Sequence, residues 1–225
     1  MPYTMKPLAC EPSRIKGMSD KLLVSHYENN YGGAVNRLNA IEAQLAELDF
    51  ARAPGFLING LKREELIAMN SMILHEIFFA SLGEESAPDG ELKDALTRDF
   101  GSLDRWWVEF SAMGKAQGGG AGWVLLTWSR RDRKLVNQWA MDHSTTLAGG
   151  HPILALDMYE HSYHIAMAPR RPPMSTRSWR RSTGRTSPQP RPDSHPRLTV
   201  TRPTDPRRND AVVIEAIRLR TACKT

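Results

Sequence analysis

Asp157 and His161 stand four residues apart in the run Asp157-Met158-Tyr159-Glu160-His161, directly after the short apolar stretch 153–156. A carboxylate and an imidazole at that spacing form one half of a candidate metal site, since both are hard-to-borderline ligands suited to manganese, iron or zinc. His26 and His75 lie far upstream, in segments with the apolar spacing of amphipathic helices. If they converge on the pair, the chain carries a centre of three histidines and one carboxylate, which is a chemistry and not merely a fold. His151 and His195 have no matching context and read as ordinary surface or core histidines.

Bringing residues 26 and 75 to residue 157 requires long elements upstream and a rigid end to the last one. Ser19 or Asp20 is a helix start, and residues 21–48 keep helical spacing through Leu22, Leu23, His26, Val35, Leu38, Ile41 and Leu45. Tyr31-Gly32-Gly33 weakens that helix, so two helices or a kinked one are expected. Residues 50–60, with Pro54-Gly55, read as a loop, and 61–82 as a second long helix ended by Gly83. Pro88-Asp89-Gly90 marks a turn before a short helix at 91–100, and Ser102 caps another helix running to Lys115. Beyond the glycine run 118–120 the period changes. Residues 123–128 and 134–140 are rich in Val, Leu, Thr and Trp and flank the polar turn 129–133, a β-hairpin pattern. Residues 153–157 make a third strand. Helices first and a small sheet afterwards is an α+β order with two layers.

Composition narrows the class. The chain has 225 residues, 40% hydrophobic and 24% charged, ordinary for a globular protein with a buried core. No run of eighteen apolar residues exists, so no membrane span is expected. The first twenty residues hold Lys6, Glu11, Arg14 and Lys16 without a long apolar run, which leads us to expect a cytoplasmic protein. Cys10 and Cys223, near opposite ends, offer neither a disulfide framework nor a thiolate metal motif. The net charge of +5 is uneven: from Ala166 onward there are 14 Lys+Arg against 4 Asp+Glu, leaving 16 basic and 21 acidic groups before it. A basic tail hangs on an acidic body. Residues 166–208 hold nine of the chain's 15 prolines and almost no apolar periodicity, the composition of a disordered segment.

Four stretches, in order, resemble one family. Ser25-His26 followed by Val35-Asn36-Arg37-Leu38-Asn39 is similar to the first-helix ligand motif of the iron/manganese superoxide dismutases. His75-Glu76-Ile77-Phe78-Phe79 resembles their second-helix motif, a His followed by two aromatics one turn on. Phe100-Gly101-Ser102 with Gly120-Ala121-Gly122-Trp123 resembles their connector and first strand. Asp157-Met158-Tyr159-Glu160-His161 is similar to the Asp-Val-Trp-Glu-His signature. The resemblance covers roughly residues 18 to 165.

That resemblance implies an N-terminal long α-hairpin domain over residues 1–84 and an α/β metal-binding domain over 85–165, with a disordered basic tail over 166–225. It implies one Mn or Fe ion per subunit, ligated by His26, His75, Asp157 and His161, with solvent completing five-coordination. Three neutral imidazoles and one carboxylate leave a trivalent ion net positive, attractive to superoxide. By that resemblance, an ion held there would supply one-electron chemistry that turns two superoxides and two protons into oxygen and hydrogen peroxide. The protein's part is to set the potential and deliver protons through surrounding hydrogen bonds. The resemblance also implies a homodimer, with Glu160 bridging to the ligand His161 of the other subunit. Trp106, Trp107 and Trp123 read as core, Trp123 also lining the metal pocket.

The departures from the family pattern are informative. The glutamine that the family sets beside the metal-bound solvent comes from one of two places, occupied here by Ser71 and by the loop at His143. A small residue opposite an imidazole gives His143 that catalytic hydrogen bond and leaves manganese and iron both open. The family's gateway tyrosine is Ala34, and Tyr31, one turn earlier, is the residue that can partly replace its hydroxyl. Asn30 and His164 replace a His and a Tyr that the family pairs across the dimer, and both can still hydrogen-bond.

After Ile165 the family continues with Asp-Tyr and closing helices, whereas this chain reads Ala166-Met167-Ala168-Pro169-Arg170-Arg171. A back-translation of residues 165–184 with one adenine inserted into the second codon reads I-D-Y-G-A-K-A-A-A-Y-V-D-A-F-M-A-T-I-D-W, an Asp-Tyr turn and an amphipathic helix. A frameshifted C-terminus is therefore expected, with poor stability and exposed apolar surface as its consequence. Two other readings stand beside a working dismutase: an impaired dismutase-like metal binder, motivated by Ala34 and the lost C-terminus, and a nucleic-acid-binding protein resting on the basic tail alone, which the acidic body makes the weaker.

Overall fold

The computed structural model describes residues 1–15, 18–83, 88, 90–117 and 121–162. Expectations placed on the basic tail, on His164, on Cys223 and on the glycine run 118–120 lie outside the described residues.

Helix α1 (Asp20–Ser25) opens at Ser19, whose Oγ accepts the Leu22 N–H at 3.2 Å, the cap read from the sequence. The chain does not break at Gly32-Gly33. It passes through a π-helical turn at His26–Tyr31, where the Gly32 N–H reaches the Tyr27 carbonyl five residues back, into α2 (Gly32–Glu47). Residues five apart diverge by about 140° on an α-helix of 3.6 residues per turn, but share a face where i→i+5 bonds close the turn. The π turn thus buries both His26 and Tyr31, each 1% exposed.

Helix α3 (Gly55–Ser81) starts six residues earlier than the period alone indicates. Pro54-Gly55 is its entrance and not a loop. The Pro54 carbonyl accepts the N–H groups of Leu57 and Ile58 at 3.0 and 3.3 Å. Proline is at home at a helix start, where no backbone donor is needed. α2 and α3 pack into a hairpin around Val35, Leu38, Ile41, Ala68, Met72 and Phe78. Full burial of a Leu or Phe of this kind contributes roughly 1.5–3 kcal/mol.

Helices α4 (Gly90–Phe100) and α5 (Leu103–Ala116) follow, the second capped by Ser102 Oγ on the Arg105 N–H at 3.1 Å. The sheet is three antiparallel strands, β1 (Trp123–Ser129), β2 (Lys134–Ala140) and β3 (Gly150–Asp157), in the order β2-β1-β3. β3 begins at Gly150, three residues before the apolar run. Pro152 is tolerated there because β3 lies at the edge of the described sheet and its register against β1 shifts between Leu126 and Thr127. Strand alternation divides the interior. Trp123, Leu125, Ala140 and Ala155 join the core of the helical hairpin, while Val124, Leu126, Leu135, Leu154 and Leu156 pack with Leu96, Trp106 and Phe110 of α4 and α5. The protein is α+β, a helical hairpin followed by a small antiparallel sheet with helices on both faces.

Among the described residues no helix is long and apolar enough to cross a membrane.

Candidate metal centre

Asp157 is the last residue of β3, opposite Trp123 on β1. Its Oδ1 accepts the Tyr159 N–H at 2.8 Å, and the Met158 N–H donates to the Gly122 carbonyl at 3.0 Å. The chain then closes a 3-10 turn at Glu160–Ser162, with Ser162 Oγ donating to the carbonyls of Asp157 and Tyr159 at 3.1 and 2.7 Å. The four-residue spacing of Asp157 and His161 is therefore realised by a strand end and a tight turn, both pinned by side-chain hydrogen bonds. Gly122 makes this possible. It holds φ +105°, and an added Cβ would stand 2.5 Å from the Ala140 carbonyl oxygen, 3.0 Å from that of Met141, and in collision with Gln117 Nε2.

Three imidazoles meet this carboxylate. Asp157 Oδ2 lies 3.1 Å from His26 Nε2, 3.3 Å from His161 Nε2 and 3.7 Å from His75 Nε2. One ligand atom from each of the four residues lies within 4.8 Å of all the others. His26 comes from the π turn, His75 from the middle of α3, and the pair from the end of β3, so two layers meet at this point. His26, His75 and Asp157 are buried, and His161 is half-buried. Among the described residues, all three Nε2 atoms and Asp157 Oδ2 are buried without a hydrogen-bond partner. Leaving four polar atoms unsatisfied at one point is costly unless a cation takes their lone pairs. Three nitrogens and one carboxylate oxygen fit iron or manganese.

The proton of one imidazole is fixed. His75 Nδ1 lies 2.7 Å from the Ser71 carbonyl and can bond it only as a donor, which leaves the Nε2 lone pair facing Asp157. Burial, resisted by the Asp157 charge, pushes the His75 imidazole down to about 3. Burial works against the charged Asp157 as well, but the closely facing His161 and His26 imidazoles outweigh it and hold the carboxyl far below the ordinary range. The site thus sets a carboxylate at Asp157 beside a neutral ring at His75, the protonation a metal requires of those two groups.

An aromatic box surrounds the four. Trp123 meets His75 edge-on with centroids 5.2 Å apart, and Phe78 and Phe79 each lie 5.1 Å from His26. His143 also reaches the site: its ring stacks on His75 at 6.0 Å and on Tyr159 at 5.0 Å. Its Nδ1 bonds the Tyr159 hydroxyl at 3.2 Å and its Nε2 is buried without a partner among the described residues. Asn70 of α3 holds that loop by donating to the His143 carbonyl at 2.6 Å. Ser71, across from it, is buried with Oγ 3.4 Å from His75 Nδ1. Burial lowers the His143 imidazole, against the pull of Asp157, and raises the Tyr159 phenol to about 12.

Tyr31 also stacks on His75, centroids 6.4 Å apart, with its hydroxyl between the Lys6 N–H at 2.8 Å and Glu76 Oε1 at 3.1 Å. Burial leads in raising that phenol to about 12. Sequence reading singled out neither Lys6 nor Glu76. Lys6 sits in a stretch without period, and Glu76 had only its place beside His75 to mark it. Glu160 is exposed beside His161.

Comparison with known proteins agrees with this geometry. The family model described as iron/manganese superoxide dismutases, C-terminal domain, matches residues 88–181, running past Ile165, where the resemblance had been expected to end. The chain is 70% identical over 165 residues to an iron superoxide dismutase of Cupriavidus metallidurans, which covers 73% of this chain and 84% of that protein. It is 34% identical over 179 residues to a manganese superoxide dismutase of Haloferax volcanii (76% and 86% covered). An iron superoxide dismutase of Aquifex pyrophilus is 30% identical over 171 residues (72% and 79% covered). The chain belongs to the iron/manganese superoxide dismutase family.

Proposed function

We propose that this chain is a superoxide dismutase using one iron or manganese ion held by His26, His75, Asp157 and His161. The observation that carries it is the meeting of four buried, otherwise unpartnered ligand atoms from three elements. Bound there, the ion supplies one-electron chemistry, turning two superoxides and two protons into one oxygen and one hydrogen peroxide. The chain's residues do the rest. Asp157 offsets part of the cation's charge and leaves a positive site for a small anion. The Ser71 carbonyl keeps the His75 proton on Nδ1. Tyr159 bonds Nδ1 of His143, and the buried Nε2 of that ring, without another partner among the described residues, is the donor we assign to the site, while Tyr31 stacks on His75. Phe78, Phe79 and Trp123 exclude water from the ligands, strengthening every charge interaction inside.

The same reading takes residues 1–84 and 85–165 as the two domains, and a cytoplasmic homodimer in which exposed Glu160 reaches His161 of the other subunit. Metal analysis of purified chain with a superoxide-removal assay tests the reading. One iron or manganese per chain with removal that disappears on chelation is expected; no bound metal after growth in either would defeat it. An impaired metal binder is the second reading, favoured by buried Ala34 and by a Tyr31 hydroxyl already engaged by Lys6 and Glu76. Metal without superoxide removal would select it. Sedimentation of the chain and of Glu160→Ala tests the dimer.

A further inference from the structure

The segment before Pro12 has no helix or strand pattern, yet residues 3–6 are fastened to the helical hairpin through their backbone. The Tyr3 N–H donates to Asn39 Oδ1 at 2.8 Å, and Asn39 Nδ2 returns a bond to the Tyr3 carbonyl at 3.0 Å. The Lys6 N–H donates to the Tyr31 hydroxyl at 2.8 Å, and the Lys6 carbonyl accepts the Tyr27 hydroxyl at 2.7 Å. Between them Met5 lies over Gly32, where an added Cβ would stand 3.1 Å from its sulfur. A second latch sits at the end: Lys6 Nζ pairs with Glu76 Oε2, while Glu76 Oε1 accepts the Tyr31 hydroxyl proton.

Tyr31 is the side chain on which the Lys6 backbone and Glu76 converge. Its single proton goes to Glu76 and its lone pair receives Lys6, so the hydroxyl has no freedom to rotate. The ring is then held at 25° to the His75 ring. Glu76 follows His75 directly on α3, so strap, phenol and candidate ligand form one mechanical unit.

We propose that residues 3–6 are a strap, latched by Lys6 and Glu76, that positions Tyr31 against His75 and so shapes the anion-accepting side of the metal centre. Lys6 and Glu76 are positioning residues acting through Tyr31. The anion-binding part rests on the dismutase reading; the coupling of the strap to His75 does not.

The test uses the full chain and the variants Glu76→Gln, Glu76→Asp, Lys6→Met and Tyr31→Phe. In metal-free protein labelled with nitrogen-15 histidine, the His75 ring resonances read the coupling without any metal. In iron-loaded protein, azide titrated optically reads the anion site. Glu76→Gln and Tyr31→Phe are each expected to displace the His75 resonances and change azide affinity by about fivefold or more. Iron content should hold, and Glu76→Asp should restore much of the wild-type value. The double variant Glu76→Gln/Tyr31→Phe should change affinity no more than the larger single change, because both act through one hydrogen bond. Resonances unmoved in both single variants, or azide effects that simply add, would overturn the proposal. Lys6→Met keeps the backbone bond and should show a smaller shift in the same direction. Wild-type chain that takes up neither iron nor manganese would sink the dismutase reading, while the histidine resonances would still decide the strap.

Discussion

His75 Nδ1 gives its proton to the carbonyl of Ser71, one helical turn earlier and 2.7 Å away. That bond spends the one backbone acceptor that α3 can offer the ring and commits Nε2 to the space shared with Asp157. A buried imidazole with its proton on one nitrogen is a ligand waiting on the other. The helix therefore does more than carry His75 to the site; it selects the tautomer.

Stability and metal binding should oppose each other at Asp157. In Asp157→Asn the amide oxygen can keep the Tyr159 N–H, and the amide hydrogens can satisfy the imidazole 3.1 Å away on His26. Without metal, the substitution removes a buried charge and at least one unsatisfied nitrogen. We expect the metal-free variant to be more stable than metal-free wild type by about 1 kcal/mol, measured by urea unfolding. Its metal affinity should fall by at least about a hundredfold, since even outer partners of a ligand are worth that much. A metal-free variant less stable than wild type would contradict this account of the site.

Acid should unload and weaken the protein together. His75 is near its ordinary 6.5 when unfolded and about 3 when folded, so between those values the unfolded chain binds a proton that the folded chain refuses. Stability falls wherever the folded state binds fewer protons and the pH is lowered. His143 is lowered too and adds in the same direction; Asp157, held below its usual value of 3.8, adds a further loss below that pH. Thermal unfolding of chelated protein should show a melting temperature that declines steadily from pH 6.5 towards 3. Dialysis over the same range should release metal as protons claim the imidazoles. His75→Gln should flatten the upper part of that decline.

Gly122 is the fixed point behind the Asp157 turn, and Gly122→Ala should cost about 2–4 kcal/mol from its positive φ and the collision with the Ala140 carbonyl. Chemical denaturation reads the loss. Because the Met158 N–H bonds the Gly122 carbonyl next to Asp157, metal content should fall with it even in the fraction that stays folded. A wild-type denaturation midpoint would refute the steric argument.

Side chains with a period or a signature were legible in the sequence; backbone-mediated features were not. The four candidate ligands could be picked because each stands in a distinctive run, and the caps at Ser19 and Ser102 because a short polar side chain at a helix start has a known use. The π turn at His26–Tyr31 was not visible. It changes the period for six residues only, and Gly32-Gly33 beside it imitates a break. The early start of α3 was hidden by Pro54-Gly55, a pair that opens helices as readily as it makes loops. The strap was hidden for a deeper reason: Tyr3 and Lys6 attach through main-chain groups, which every residue has.

The C-terminal reading has its own test in the gene. Residues 166–208 carry nine of the 15 prolines, and one choice of codons for residues 165–184 reads, one base away, as Asp-Tyr and an amphipathic helix. If the frame slipped after Ile165, the DNA should encode that helix in the neighbouring frame. Inserting one base there should then yield a chain with higher soluble yield and a melting temperature raised by several degrees, as expected when about 1–2 kcal/mol of packing is regained. The ligands all precede the junction, so both chains should bind one metal, the restored one losing it more slowly to a chelator. No helix in the neighbouring frame, or a restored chain no more stable than the present one, would refute the frameshift.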